Sequence, residues 1–217
     1  AGRMINSPND YDVVIKLIPT KNDNFFVCMR LCSIQDNRFA YRKNVLPTSM
    51  HPSQAALIVS LAKPYLKEEA QIMDPFCGVG TLLIERAHLV PAREIYATDT
   101  YGDAITMGRE NAAFAKTRIN FIHRDFFDFR HDYKFDELIT DMPVRNRQTK
   151  AEMELFYERF FDKAAEHLVS GGIIVMYSNE IGFVKKQIRL RVEYRLLQET
   201  CILDKNDFYL FVIRYED

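Results

Sequence analysis

The chain has 217 residues, 47% hydrophobic and 27% charged, enough for one domain of ordinary size plus a small extension. Its 29 Lys and Arg against 30 Asp and Glu give a formal charge of −1, which excludes a stand-alone polycation; either the substrate is not nucleic acid, or a local basic face or a further domain supplies the affinity. No run of about 18 apolar residues and no basic-then-apolar leader occurs, so neither a membrane span nor a signal peptide is expected, and a start at Ala1-Gly2-Arg3 rather than Met points to an expression scar or a truncated longer chain.

The runs 11–19 (YDVVIKLIP) and 24–32 (NFFVCMRLC) read as two β-strands joined by the polar turn Thr20-Lys21-Asn22-Asp23, a hairpin placed ahead of the main domain. Cys28 and Cys32 lack the C-x-x-C spacing of a metal site and would share one strand face, as buried thiols in a reducing cytoplasm; no metal site is expected. Residues 38–42 (RFAYR) and the proline-bounded stretch 46–52 (LPTSMHP) read, taken alone, as a polar linker. Residues 53–66 have helical spacing through Ala56, Leu57, Val59 and Ala62, with Pro52 acceptable at the helix start.

The chain is organised around residues 71–85, QIMDPFCGVGTLLIE. A short buried strand (Ile72, Met73) ends at Asp74; a tight turn holds Gly78 and Gly80; a helix opens at Thr81. Glycines at those places allow positive φ and close approach of a ligand, and the helix start points its unpaired N–H groups into the same crevice. The dinucleotide fingerprint wants a third glycine where Leu83 stands, so close pyrophosphate packing is not supported. Asp74 would repel a diphosphate and welcome a cation. The sulfonium and α-ammonium of S-adenosylmethionine fit that polarity. Cys77, inside the loop, has no paired His in the sequence to make it a nucleophile.

A helix over 81–89 leads to a second strand, 94–99, ending in Asp99, at the distance that suits the acid accepting both ribose hydroxyls. A helix over 102–116 leads to a third strand, 120–126, ending in Asp125-Phe126. Each acid alone would be an ordinary solvated strand end; the β-α-β-Asp pattern repeated three times in register is the signal. A fourth strand, 135–140, is followed by Asp141-Met142-Pro143-Val144. The amphipathic stretch 151–168 carries a stripe (Met153, Phe156, Tyr157, Phe160, Phe161, Ala164, Leu168) expected to be core rather than a base-stacking platform, with Gly171-Gly172 ending the helix. A strand over 173–178, a helix over 181–190 and strands over 194–203 and 208–215, joined by a turn at 204–207, close the chain with a hairpin.

DPFCGVGTLLIE resembles the first motif of the class I methyltransferases, in the D-P-F-C-G-x-G-T-x-x-I-E form of the UPF0020-like RNA methylases that usually carry a THUMP domain, the tRNA guanine-N2 methyltransferases among them. The resemblance runs from about Arg38 to the C-terminus and includes the R-x-x-Y-R element. It implies a three-layer α/β/α, Rossmann-like domain over 47–217, with a mostly parallel seven-stranded sheet whose last strand is antiparallel. Residues 1–46 would be a hairpin and linker, a remnant of the connection to a THUMP domain. The cofactor implied is S-adenosylmethionine, leaving as S-adenosylhomocysteine. Its contacts would be Asp74, Phe76, Gly78, Gly80 and Thr81 in the glycine loop, and Asp99 and Thr100 at the second strand end. Asp125 would take the adenine amino group and the Phe126 N–H a ring nitrogen. Ser49, and His51 with it, would close over the methionine end, and Asn111 stands where the family commonly has an asparagine.

Asp141-Met142-Pro143 occupies the place where amino-group methyltransferases carry [N/D]-x-P-[aromatic]. An exocyclic –NH₂ is a poor nucleophile because its lone pair is delocalised into the ring. The Asp141 side chain and the Met142 carbonyl can accept both N–H bonds, draw the nitrogen toward sp³ and aim its lone pair at the methyl group. Val144 departs from the aromatic that usually stacks on the base, leaving Phe76 as the candidate to hold it, and Arg145 stands where Gly often follows. Arg145, Arg147 and Lys150 put positive charge beside the loop, suited to a phosphate backbone or to plain solvation. The reading is methylation of an exocyclic amino group in RNA, guanosine N2 in tRNA before rRNA, by a cytoplasmic monomer. The alternatives are a DNA or adenine amino methyltransferase, and a cofactor-binding module that has lost catalysis, which Val144 and Arg145 favour.

Overall fold

Strands β1 (Val14–Pro19) and β2 (Phe25–Arg30) pair antiparallel, from Val14 opposite Arg30 to Pro19 opposite Phe25. They lie in the first of two compact units, Ala1–Phe39 and Ala40–Asp217, of a computed structural model that describes residues 7, 11, 13–22, 24–30, 37–203 and 208–217. Thr20 N and Oγ1 both donate to the Asn24 carbonyl, at 2.8 and 3.0 Å, closing the turn. Cys28 is exposed, not the buried thiol expected, because a hairpin of two strands has no second layer to cover a face. Cys32 and Asp23 lie outside the described residues, as does the 204–207 turn.

The second unit alternates strand and helix: α1 (Pro52–Ala62), β3 (Ala70–Asp74), α2 (Thr81–Leu89), β4 (Ala92–Asp99), α3 (Gly102–Ala115), β5 (Asn120–His123), β6 (Phe135–Asp141), α4 (Lys150–His167), β7 (Leu168–Ser178), α5 (Ile181–Leu190), β8 (Tyr194–Leu203) and β9 (Phe208–Tyr215). The seven strands of this unit lie in the order β5-β4-β3-β6-β7-β9-β8. All pairings are parallel except those of β9, which runs antiparallel to both neighbours. The expected mostly parallel sheet with a reversed last strand is therefore present. From β3 the chain moves outward through α2 to β4, and from β6 in the other direction through α4 to β7. Right-handed crossovers then put the two sets of helices on opposite faces. The central strands are buried on both sides, and α4 seals one face with Tyr157, Phe160 and Phe161, all fully buried. Among the described residues no helix is long and apolar enough to cross a membrane.

Order reverses between β3 and β6, which pair through Ile72–Glu137 and Met73–Leu138. Their carboxyl ends, Asp74 and Asp141, thus flank the crevice where ligands of open α/β sheets bind. Beneath it the fully buried Arg86 of α2 forks onto both Glu137 carboxylate oxygens of β6, at 2.8 Å each, and donates to the Val90 and Lys67 carbonyls. Two desolvated charges are tolerable because the lone pairs and N–H groups are met.

Three elements differ from expectation. The first helix stops at Ala62, and a 3-10 turn Lys63–Tyr65 follows, since Pro64 can continue no α-helical ladder. The third strand ends at His123, and Asp125 caps a 3-10 turn over Phe126–Asp128 by accepting from Phe127 N at 2.9 Å. Helix α4 ends at His167 without glycine: Leu168 is already extended and starts β7, and Gly171-Gly172 lie inside that strand. Gly171 sits at φ +81°, and a Cβ on Gly172 would come 2.9 Å from the Val169 carbonyl, where the β6–β7 register shifts.

Candidate functional site

The glycine loop between β3 and α2 is held from beneath. Asp74, 1% exposed, accepts from Phe76 N at 3.0 Å; Cys77 N donates to Thr98 O, Thr98 Oγ1 to Pro75 O, and Gly80 N to Cys77 O. The two glycines serve different ends. Gly80 (φ +78°) precedes α2, and a Cβ there would come 2.8 Å from the Phe121 ring, so chain packing requires it. Gly78 (φ +50°) would direct a Cβ into open space, and it lines the cavity that lies there. The Cys77 thiol is pushed well up by burial and then by the Asp74 and Asp99 charges, the opposite of an activated nucleophile.

That cavity, of about 420 Å³, is bounded by Ser49, Asp74, Phe76, Gly78, Thr81, Asp99, Asp141, Met142 and Pro143, all named from the sequence. A second space of about 210 Å³ shares Phe76, Asp99 and Pro143 with it and adds Thr100, Asp125 and Phe126, again as named, together with Phe127 and Phe156. Gly80, Arg145 and Arg147 border neither space. Arg145 reaches toward Glu180 at 3.8 Å, and Arg147 is exposed. His51 caps α1, its Nδ1 accepting from Ser53 N at 3.3 Å, and does not line the cavity. Phe76 packs at 5.4–6.5 Å against Phe126, Phe127, Phe156 and Phe160, as part of the wall of the smaller space. Phe156 corrects the reading of the α4 stripe: it is half-buried and faces that space, while Tyr157, Phe160 and Phe161 are core.

Sequence reasoning passed over Leu46, Met50, Tyr101 and Asn146, which also line the larger cavity. Tyr101, directly after Asp99-Thr100, was within reach of the strand-end pattern. Asn146 sits in a polar loop with no periodicity to single it out.

Charge is the distinctive property. Three carboxylates, Asp74, Asp99 and Asp141, face the cavity, and no Lys or Arg is among its described lining residues. Burial, with a smaller push from the Asp141 and Asp99 charges, raises Asp74 to about 8; burial raises Asp141 to about 7. Asp99 accepts from Gly78 N at 2.8 Å through Oδ2 and from Tyr101 N at 2.9 Å through Oδ1, which leaves a lone pair on each oxygen. Asp125 uses only Oδ1, for Phe127 N. Thr81 Oγ1, on the cavity wall at the start of α2, is buried with no partner among the described residues. An acidic bowl with an orphan hydroxyl at a helix N-terminus fits a ligand bearing cationic centres and a carboxylate, and the residues fit S-adenosylmethionine.

At the other wall, Met142 N donates to the Tyr177 carbonyl at 2.9 Å, extending the β6–β7 ladder past Asp141. The Tyr177 hydroxyl is hydrogen-bonded by Gln54 of α1. Beyond the 141–149 loop, a capping box at Thr149 and Glu152 fixes the start of α4. The fourth wall is the strap 40–50. Tyr41 Oη donates to buried Glu85 at 2.6 Å, Arg42 Nη2 donates to the Met50 carbonyl at 3.0 Å, and Leu46 N donates to Ser49 Oγ at 2.9 Å. Tyr41 and Arg42 are therefore braces within this unit rather than linker residues.

The profile of the family described as UPF0020, RMKL-like methyltransferase domain, matches residues 40–200. The chain is 32% identical over 187 residues to the tRNA (guanine(10)-N2)-dimethyltransferase of Methanothermobacter thermautotrophicus, covering 81% of this chain and 54% of that protein. It is 25% identical over 155 residues to the release factor glutamine methyltransferase of Lactococcus lactis, covering 63% of this chain and 56% of that protein. The chain thus spans about half the length of these two relatives. Among solved structures, TrmN from Thermus thermophilus superposes with a TM-score of 0.70 at 21% identity, covering 89% of this chain and 57% of that one, a likeness of fold.

Proposed function

The chain belongs to the RMKL-like methyltransferase-domain family, whose cofactor is S-adenosylmethionine, and from that premise we propose that it methylates an exocyclic amino group of a base in RNA, guanosine N2 in tRNA before rRNA. The observation that carries the reading is the cavity with the carboxylates of Asp74, Asp99 and Asp141, no basic residue among its described lining, and Met142-Pro143 following Asp141 on its wall. The choice of guanosine in tRNA leans on the printed activity of the relative from Methanothermobacter.

When bound, the cofactor supplies an electrophilic methyl group on a sulfonium. Asp99 would offer its two remaining lone pairs to the ribose hydroxyls, and Asp125 its Oδ2 to the adenine amino group, with the Phe126 N–H available to a ring nitrogen. Thr81 Oγ1 and the α2 N-terminus would hold the carboxylate of the methionine end, with Ser49, and Asp74 would offset its positive charge. The Asp141 carboxylate and the Met142 carbonyl accept the two N–H bonds of the target amine and orient its lone pair. Held near 7, Asp141 is also poised to take the proton the amine gives up. Arg145, Arg147 and Lys150 would supply positive charge for phosphates beside the loop.

The deciding experiment is transfer of labelled methyl from S-adenosylmethionine to unmodified tRNA, rRNA and DNA, followed by nucleoside digestion. Label in N2-methylguanosine is the expected result; label in an adenine product would replace the base, and label in DNA the polymer. One observation favours a second reading, a cofactor-binding module without turnover: Val144 is 52% exposed on the cavity rim and has no ring to stack. Bound cofactor with no label in any nucleic acid would select it.

Cofactor affinity is expected to rise with pH between about 6 and 8. Asp74 is protonated below its raised value of about 8, and a cationic ligand binds the ionised form, so binding releases a proton. The limit is roughly tenfold per pH unit for each proton released. Without ligand the sign is opposite. The folded protein holds protons that the unfolded chain has lost, so the contribution of Asp74 and Asp141 to stability is full below pH about 4 and is lost as pH rises toward 8. Calorimetry in buffers of different ionisation enthalpy, and melting of the ligand-free protein across that range, check both halves; a flat affinity would remove Asp74 from the binding account.

A further inference from the structure

Asn111, in the middle of α3, is fully buried and lines neither of the two spaces described above. Its Oδ1 accepts the backbone N–H groups of Lys43 (shared with the Tyr41 carbonyl) and Asn44 at 3.0 and 2.9 Å. Its Nδ2 donates to the Asn44 carbonyl at 3.0 Å and to the Val79 carbonyl at 3.4 Å. These partners belong to two different walls of the cavity. Residues 43 and 44 lead into the strap, which contributes Leu46, Thr48, Ser49 and Met50; Val79 stands between Gly78 and Gly80 and is itself a wall residue.

The chemistry of the tie restricts what can make it. It needs an acceptor for two N–H groups and a donor for two carbonyls, within one short side chain. Asparagine offers both, a carboxylate lacks the donor, and leucine lacks both. The other strap contacts do different work: Tyr41 anchors it to Glu85 of α2, and Arg42 joins its two ends through the Ser49 and Met50 carbonyls. Among the described hydrogen bonds, those of Asn111 connect the strap to the glycine loop.

We propose that Asn111 is a positioning residue that sets the distance between the strap and the glycine loop, and through it the affinity of the cavity for S-adenosylmethionine. It touches neither cofactor nor reacting atoms. The inference rests on the cofactor reading of the cavity, but one arm of its test does not.

Asn111→Leu removes every bond, and Asn111→Asp keeps the two accepted ones while losing the donated pair. For Asn111→Leu the dissociation constants of S-adenosylmethionine and S-adenosylhomocysteine are expected to rise about tenfold or more, the equivalent of one or more lost buried hydrogen bonds. At saturating cofactor kcat should stay within about threefold, the pattern of lost binding that is equal in ground and transition states. Asn111→Asp should fall between, and serves alone if the leucine variant does not fold. The ligand-free arm is amide exchange. At 43, 44 and the strap tip it should accelerate selectively, with β6 and β7 unchanged. A residue that merely stabilises the fold would lower the melting temperature, speed exchange uniformly and leave cofactor affinity intact below the melt, which would overturn the proposal. If the wild type binds neither cofactor form, the cavity reading fails, and the exchange pattern still judges the tie.

Discussion

Replacing Asp141 with Ala is expected to reduce the single-turnover methylation rate by about 10²–10³-fold at saturating cofactor, the usual cost of deleting one preorganised charge-stabilising partner. Cofactor affinity should change only a few-fold, because the ribose and adenine contacts assigned to Asp99 and Asp125 are untouched. The expectation follows from position. Asp141 ends β6 beside the switch point, and Met142, pinned by the Tyr177 carbonyl, keeps the loop backbone in place when the carboxylate is gone. What would vanish is the side-chain acceptor proposed to draw the amine out of conjugation. Asp141→Asn keeps an oxygen able to accept an N–H bond and should retain part of the rate. A rate for the alanine variant within about threefold of wild type would refute this role for the carboxylate.

Asp99→Ala should fail one step earlier. The two charge-assisted hydrogen bonds proposed from ribose to Asp99, at about 1.5–3 kcal/mol each, predict cofactor binding weakened by about 10²–10⁴-fold. A second effect adds to it: the Gly78 and Tyr101 N–H groups lose their acceptor, so the loop and the start of α3 lose a brace together. Calorimetric titration with S-adenosylhomocysteine measures the loss without any need for turnover. Equal affinity in wild type and variant would remove Asp99 from the cofactor site. Paired with Asp141→Ala, the two titrations separate holding the cofactor from using it.

The elements that place these acids were legible because each follows from local chemistry. Strands buried on both faces read as apolar runs, and the acid at each strand end stood out against them. Asp74, Asp99 and Asp125 each stand at or just beyond a strand end and ahead of a turn or helix, a repeat that no single segment could have supported. What could not be read depends on partners far along the chain. Arg86 and Glu137 are 51 residues apart, and each alone looks like a surface charge on an amphipathic element. Tyr41 and Glu85 are 44 apart, so the strap resembled a linker until its anchor was known. The end of α4 misled for another reason: paired glycines are a common stop signal, but burial of Leu168 in β7 ended the helix first, and the glycines served the strand bulge instead. Cys28 failed because alternation says which side chains share a face and not whether anything covers it.

The reversed strand has a bearing on how the molecule is assembled during synthesis. β9, the last strand of the sheet to be translated, occupies an interior slot between β7 and β8, with Leu210, Phe211, Val212 and Ile213 wholly buried. Until it arrives, β8 has no neighbour in the sheet and β7 presents a bare edge, the kind of late, long-range closure that slows folding. Leu210 also pairs with Tyr177, whose carbonyl holds Met142. A growing chain could therefore complete the half that carries Asp74, Asp99 and Asp125 well before the half that would hold the amine is braced, and the last strand made is the one that unites them.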